Sequence, residues 1–279
     1  MVGAVSKITI VGGHDKTGNA EDIKVDLIPG EIVCVVGPTG SGKSRLLADI
    51  EYMAQKDTPT GRIILINDES PDISNRFSFE DKLVAQLSQN MNFIMDCTVR
   101  EFINIHAECR GGVNVDETIE VIIEKANELA GEKFTGSTPL TALSGGQSRA
   151  LMIADTAFLS TSPIVLIDEI ENAGIERKKA LELLVKKDKI VLMATHDPML
   201  ILMGDKRLVI KNGRIDNVIL TSEKEKLQLQ ELELLDSYLL SIRNSLRNGE
   251  TIEESREEYF EGYFEEPFGE GYHQNFAGD

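Results

Sequence analysis

The octapeptide Gly37-Pro38-Thr39-Gly40-Ser41-Gly42-Lys43-Ser44 restricts the fold of this chain more than any other feature. It follows the apolar run Ile32 to Val36 and precedes a segment of helical periodicity that opens at Lys43. A buried strand that turns through glycines into a helix lets successive backbone N–H groups converge on one anion, and the helix dipole adds to their pull. The spacing is that of a phosphate-binding loop, G-x-x-x-x-G-K-[ST]. Lys43 is expected to reach the β- and γ-phosphates of a nucleotide and the Ser44 hydroxyl to ligate Mg²⁺. Arg45 is counted with the loop as a nucleotide contact.

Around this loop the chain reads as an α/β protein. Short β-branched runs at Lys7–Val11, Ile23–Ile28, Ile32–Val36, Arg62–Ile66, Lys82–Leu87, Ile164–Ile167, Ile190–Ala194 and Leu208–Lys211 alternate with amphipathic segments, which predicts a mostly parallel sheet. Asn212-Gly213 predicts a hairpin turn into a last strand, Arg214–Leu220. Between Val99 and Phe158 the strand signal gives way to helical patterns, which suggests a helical insertion. The expected organisation is a domain over 1–220 with its helical part near 90–160, an amphipathic helix over 221–249 and a tail over 250–279.

Charge and composition exclude several roles. A net charge of −18 opposes direct binding to a nucleic-acid backbone, which clustered Lys and Arg would have to drive. The three cysteines, Cys34, Cys97 and Cys109, never approach a C-x-x-C spacing, so neither a zinc nor an iron–sulfur site is expected. No run approaches the roughly 18 to 20 apolar residues of a membrane span. Nor does the N-terminus carry a signal-peptide pattern. A cytoplasmic protein is expected, one that touches a membrane only through a partner.

Two further segments narrow the chemistry. Ile164–Glu169 is an apolar strand ending in two acids, Asp168 and Glu169. One carboxylate suits a Mg²⁺ ion and the second suits a water molecule attacking the γ-phosphate. Leu143-Ser144-Gly145-Gly146-Gln147 lies 21 residues before Asp168. Where such a segment opens a helix, Ser144 and the amides of Gly145 and Gly146 can cap a phosphate.

In this order the motifs resemble those of the ATP-binding cassette (ABC) ATPases, whose signature sequence Leu143–Gln147 matches. The resemblance covers roughly Gly30 to Asp197. It implies a P-loop nucleotide-binding domain with a mostly parallel core sheet, an antiparallel β subdomain and a helical signature subdomain. It also implies MgATP as cofactor and substrate, and two subunits closing head to tail so that Ser144 of one meets ATP on the loop of the other. Gln89, followed by Phe93 and Thr98-Val99, is similar to the family's Q-loop glutamine, with Gln86 the competing position. Thr195-His196-Asp197 is similar to its switch-histidine segment. By the same resemblance Glu169 polarises water, His196 holds the γ-phosphate and Gln89 contacts Mg²⁺ and the helical subdomain.

The sequence also departs from that family. Where Pro-Thr-x-x-Leu-Asp is usual after the glutamate, this chain has Ile170-Glu-Asn-Ala-Gly-Ile-Glu176. The aromatic that commonly stacks on adenine is missing, and His14 is the only ring near Ile10–Asp15, so ATP and GTP both stay open. Ser148 stands where a basic residue is common, while Arg149 keeps a positive charge nearby.

Leu232, Leu235, Leu239, Ile242 and Leu246 predict a seam on one helix, which packs on its own domain or on a partner. The tail from Glu250 to Asp279 carries ten acidic residues, one Arg and seven aromatics, Tyr259, Phe260, Tyr263, Phe264, Phe268, Tyr272 and Phe276. A docking segment or a self-packing one fits that pattern. The expected partners are a second copy or another ABC subunit, together with either a membrane permease or a soluble client.

Overall fold

Two sheets pack against one helix in the computed structural model of the chain, which describes residues 5–72, 76, 82–88, 93–109, 115–168 and 175–252. Gln89, Glu169, the segment 170–174 and the tail from 253 onward, each singled out in the sequence, lie outside the described residues. The chain divides into two units, Met1–Glu223 and Lys224–Asp279.

The strands of the first unit are β1 (Ile8–Val11), β2 (Lys24–Leu27), β3 (Ile32–Val36), β4 (Ile63–Ile66), β5 (Val84–Leu87), β6 (Ile164–Asp168), β7 (Ile190–Ala194), β8 (Lys206–Lys211) and β9 (Arg214–Leu220). Its helices are α1 (Lys43–Glu51), α2 (Val99–Cys109), α3 (Val115–Leu129), α4 (Gly145–Phe158), α5 (Arg177–Val185) and α6 (Pro198–Met203). Every strand expected from the sequence is present, with ends shifted by at most two residues.

The larger sheet runs β5-β6-β7-β3-β8-β9, parallel except for the final antiparallel pair. Its central strands are apolar on both faces because both are covered: β7 is buried at all five positions. One face packs with α1 and with the antiparallel sheet β2-β1-β4, joining Val33, Val35, Leu46, Ile50 and Leu208 to Ile8, Ile10 and Ile64. The other face packs under α4, α5 and α6 through Ile153, Leu181 and Leu200.

A third cluster builds the helical part. Ile103 of α2, Ile119, Ile122 and Ala126 of α3 and Leu151 and Ala154 of α4 close around Phe134 and Leu140. Thr98 and Glu101 start α2 with a reciprocal cap: Glu101 Oε2 accepts from the Thr98 amide at 2.7 Å and Thr98 Oγ1 accepts from the Glu101 amide at 3.3 Å. Among the described residues no helix is long and apolar enough to cross a membrane. In the second unit, α7 (Glu223–Asn248) has no buried residue, and Leu235, Leu239 and Leu246 of its seam are exposed.

The antiparallel sheet is tied to the rest by charge as well as packing. Arg62, at the start of β4, is 0% exposed. Its Nε and Nη2 donate to the two Glu21 oxygens at 2.8 and 2.9 Å, Nη1 donates to Asp49 of α1 at 2.9 Å, and Nη2 also donates to the Gly213 carbonyl at 2.7 Å. Burial alone would raise the Glu21 pKa. The Arg62 hydrogen bonds and the amides of Ile215 and Gly13 outweigh it and hold the carboxyl below the usual glutamate range.

Arg62→Met should leave Glu21 and Asp49 buried without their counter-charge and cost about 3–5 kcal/mol, read by urea unfolding near neutral pH. The sign with pH follows from the lowered Glu21 pKa. In the wild type this group's stabilisation is complete above the ordinary glutamate value of about 4.3 and is lost as pH falls through the lowered one. In the variant that stabilisation is gone and burial favours a protonated Glu21. The stability gap between the two proteins should therefore narrow as pH falls; a gap that widened would contradict this account.

Candidate functional site

The phosphate-type loop leaves β3 after Val36 and enters α1 at Lys43 through left-handed backbone at Gly37, Gly40 and Gly42. Two of these glycines are demanded by close contacts. A Cβ on Gly37 would lie 2.4 Å from the Ile210 carbonyl oxygen, and one on Gly42 would lie 2.9 Å from the Gly213 Cα. The hairpin turn at Asn212-Gly213 thus abuts the loop, and the Gly213 amide donates to the Ser41 carbonyl at 2.7 Å. Gly42 is also the N-cap of α1 and offers no side chain there, so no cap competes with an anion at this helix start.

Around this frame the loop side chains divide. Ser41 is buried, Pro38, Thr39, Gly40, Ser44 and Arg45 are exposed, and Lys43 Nζ donates to the carbonyls of Gly37 at 2.8 Å and Pro38 at 3.3 Å.

The sheet register places the other expected groups beside the loop. Val35 of β3 and Asp168 of β6 both pair with Ala194 of β7. At about 4.8 Å per strand, the Asp168 backbone lies about 10 Å across the sheet from Val35, two residues before the loop. Thr195-His196-Asp197 leaves β7 between them, with Thr195 buried and His196 exposed. Three adjacent strands therefore present the loop, Asp168 and His196 at their carboxyl ends, where open α/β sheets bind ligands. Gln86 of β5 pairs with Leu166 of β6, and its side-chain amide lies against the Glu51 carboxylate at the end of α1 rather than at the loop.

The Leu143–Gln147 segment is held in the helical layer. Ser144 is the N-cap of α4 in a capping box: its hydroxyl accepts from the Gln147 amide at 3.3 Å, and Gln147 Oε1 accepts from the Ser144 amide at 2.8 Å. Gln147 Nε2 donates to the Glu132 carbonyl at 3.2 Å. Ser144 and Gly145 are exposed and Gly146 half-buried; a Cβ on Gly145 would meet open space.

Several contacts here were not anticipated. Asp197 caps α6 by accepting from the amides of Met199 and Leu200, and it also accepts from Arg177 at the start of α5. That bond joins the segment after β6 to the segment carrying His196. Arg62 reaches the loop through Gly213, and Lys16, between β1 and β2, donates to the Gly40 carbonyl at 2.6 Å. A lone Arg beginning an apolar run, or a Lys in a polar turn, carries no periodic signal, so neither was visible in the sequence.

Comparison with known proteins agrees with this geometry. A family model described as ABC transporter matches residues 20–172. An uncharacterized ABC transporter ATP-binding protein of Methanocaldococcus jannaschii is 53% identical over 244 residues, 87% of this chain and 93% of that protein. A putative multidrug export ATP-binding/permease protein of Bacillus subtilis is 29% identical over 216 residues, 72% of this chain and 35% of that protein. Among solved structures, a dimeric ATP-binding cassette in a post-hydrolysis state bound to ADP and Pi superimposes with a TM-score of 0.59 at 21% identity, covering 77% of this chain and 99% of that one.

The packing at Gly42 yields a prediction. Gly42→Ala imposes a side chain at φ 113° and against the Gly213 backbone. It should cost about 1–3 kcal/mol of stability and weaken nucleotide binding at least about tenfold, measured by calorimetric titration. Wild-type affinity in this variant would show that the contact does not shape the loop.

Proposed function

The chain belongs to the ABC transporter family and is an ATP hydrolase, and we propose that it is the nucleotide-binding subunit of a membrane transporter, working as a head-to-tail dimer. The observation that carries the site assignment is the alignment of the loop, Asp168 and His196 at the carboxyl ends of three neighbouring strands. Amides of the loop from Gly37 to Ser44 cradle the β- and γ-phosphates, and the Lys43 ammonium leaves its carbonyl partners to meet them. Ser44 and Asp168 offer the hard oxygen donors that suit Mg²⁺, which would neutralise phosphate charge there, with Gln89 as a further ligand. Glu169, next after Asp168, is the general base toward the attacking water, and His196 holds the γ-phosphate.

The outward-facing start of α4 supports the dimer. Its Ser144 hydroxyl retains a proton to donate, and Gly145 has open space before it, as a site for a phosphate held by another subunit requires. Closure on ATP and opening on hydrolysis would then move the helical layer that contains α2, α3 and α4. The protein is assigned to the cytoplasm, at the membrane only through its permease. Nucleic acid is not a partner, on the net charge of −18.

Relatives whose names join an ATP-binding subunit to a permease support transport. A second reading, a soluble ABC ATPase acting on a client protein, is favoured by the altered stretch from Ile170 to Glu176 and by the acidic, aromatic tail.

Glu169→Gln should retain MgATP binding, lose turnover by at least about a hundredfold and accumulate as a dimer in size-exclusion chromatography with MgATP. Adding Ser144→Arg should return it to monomer; a dimer that persisted would remove the signature segment from the interface. Affinity capture from native extract with the Glu169→Gln protein then separates the two readings. ATP-dependent recovery of a polytopic membrane protein supports transport, and recovery of a soluble enzyme supports the second.

A further inference from the structure

We propose that Lys16 is a second lysine of the nucleotide site, contributing affinity through the phosphates. The inference rests on the loop from Gly37 to Ser44 being the nucleotide site. Lys16 Nζ donates to the Gly40 carbonyl at 2.6 Å, while Lys43 Nζ donates to Gly37 and Pro38. Two ammonium groups thus rest on neutral carbonyls of one short loop, and a polyphosphate is the ligand class that neutralises both.

The position is constructed rather than incidental. The Lys16 amide donates to the Asn212 carbonyl at 3.0 Å, and its side chain crosses Gly213, where a Cβ would come within 2.9 Å of Lys16 Cγ. The residue before it anchors the turn. The Asp15 carboxylate accepts from the Thr17 amide and hydroxyl, from the Asn19 amide and side chain, and from the Asn212 side chain. The Asn19 and Thr17 side chains, helped by their amides, hold the Asp15 carboxyl far below the usual carboxylate range, so this anchor stays charged.

The matched family range begins at residue 20, beyond this loop. A flexible lysine reads charge rather than base shape, so its contribution should not distinguish purines.

Lys16→Met keeps the backbone contacts and most of the side-chain length while removing the charge. It should weaken MgATP and MgGTP binding by the same factor, about tenfold, which is about 1.4 kcal/mol. The deficit should shrink as salt is raised, and Lys16→Arg should restore most of the affinity. Titration calorimetry reads the affinities, and thermal melting of the nucleotide-free protein reads the fold. Affinity within about twofold of wild type for both nucleotides overturns the proposal, whether or not the melting temperature falls. A loss confined to one purine also overturns it, because the loop would then be reading the base. Failure of the wild-type chain to bind either nucleotide would instead sink the nucleotide-site reading on which this one rests.

Discussion

Backbone-to-backbone contact around the P-loop is the constraint on which the rest of the site depends. A Cβ on Gly37 would meet the Ile210 carbonyl and one on Gly42 the Gly213 Cα, while the Lys16 side chain crosses Gly213. Within the loop the Ser41 amide donates to the Pro38 carbonyl at 3.1 Å and Lys43 Nζ to the Gly37 and Pro38 carbonyls, and the rest of its shape has to be imposed from outside. Here the β8–β9 hairpin imposes it. The Gly213 amide holds the Ser41 carbonyl, and the Gly213 carbonyl is held by Arg62, which is anchored in turn by Glu21 and Asp49. The ion network far from the chemistry is thereby part of the same mechanical chain as the phosphate cradle.

A burial-only view would treat that network as a liability, since a buried guanidinium costs several kcal/mol to desolvate. Its geometry offsets the cost: four of its N–H donors meet three partners at 2.7–2.9 Å. What it adds beyond energy is register. Glu21 precedes β2, Asp49 lies in α1, and Gly213 is the hairpin turn, so one side chain fixes three elements that hydrophobic packing alone would let slide.

The fold was largely legible because its signals are periodic and local. The apolar runs of β3, β6 and β7, the Asn212-Gly213 turn and the strand-loop-helix around Lys43 each follow from a short window of residues. What stayed illegible depends on side chains meeting across long separations. Arg62 with Glu21, Arg177 with Asp197 and Lys16 with Gly40 are single polar residues whose partners only tertiary structure selects. The bond of the Gln147 side chain to the Glu132 carbonyl belongs to the same class.

Helix α4 is where site and scaffold become one object. Ala150, Ile153 and Ala157 face the parallel sheet, while Leu151 and Ala154 face α2 and α3. His106 of α2 is bonded to Asp155 on the same helix at 2.9 Å. A displacement at the Ser144 end therefore cannot be absorbed by the helix alone, because close-packed cores shift as units rather than deform. The same packing that makes α4 a core helix would, on the proposed function, make it a lever between a phosphate bound at its N-terminus and helices α2 and α3.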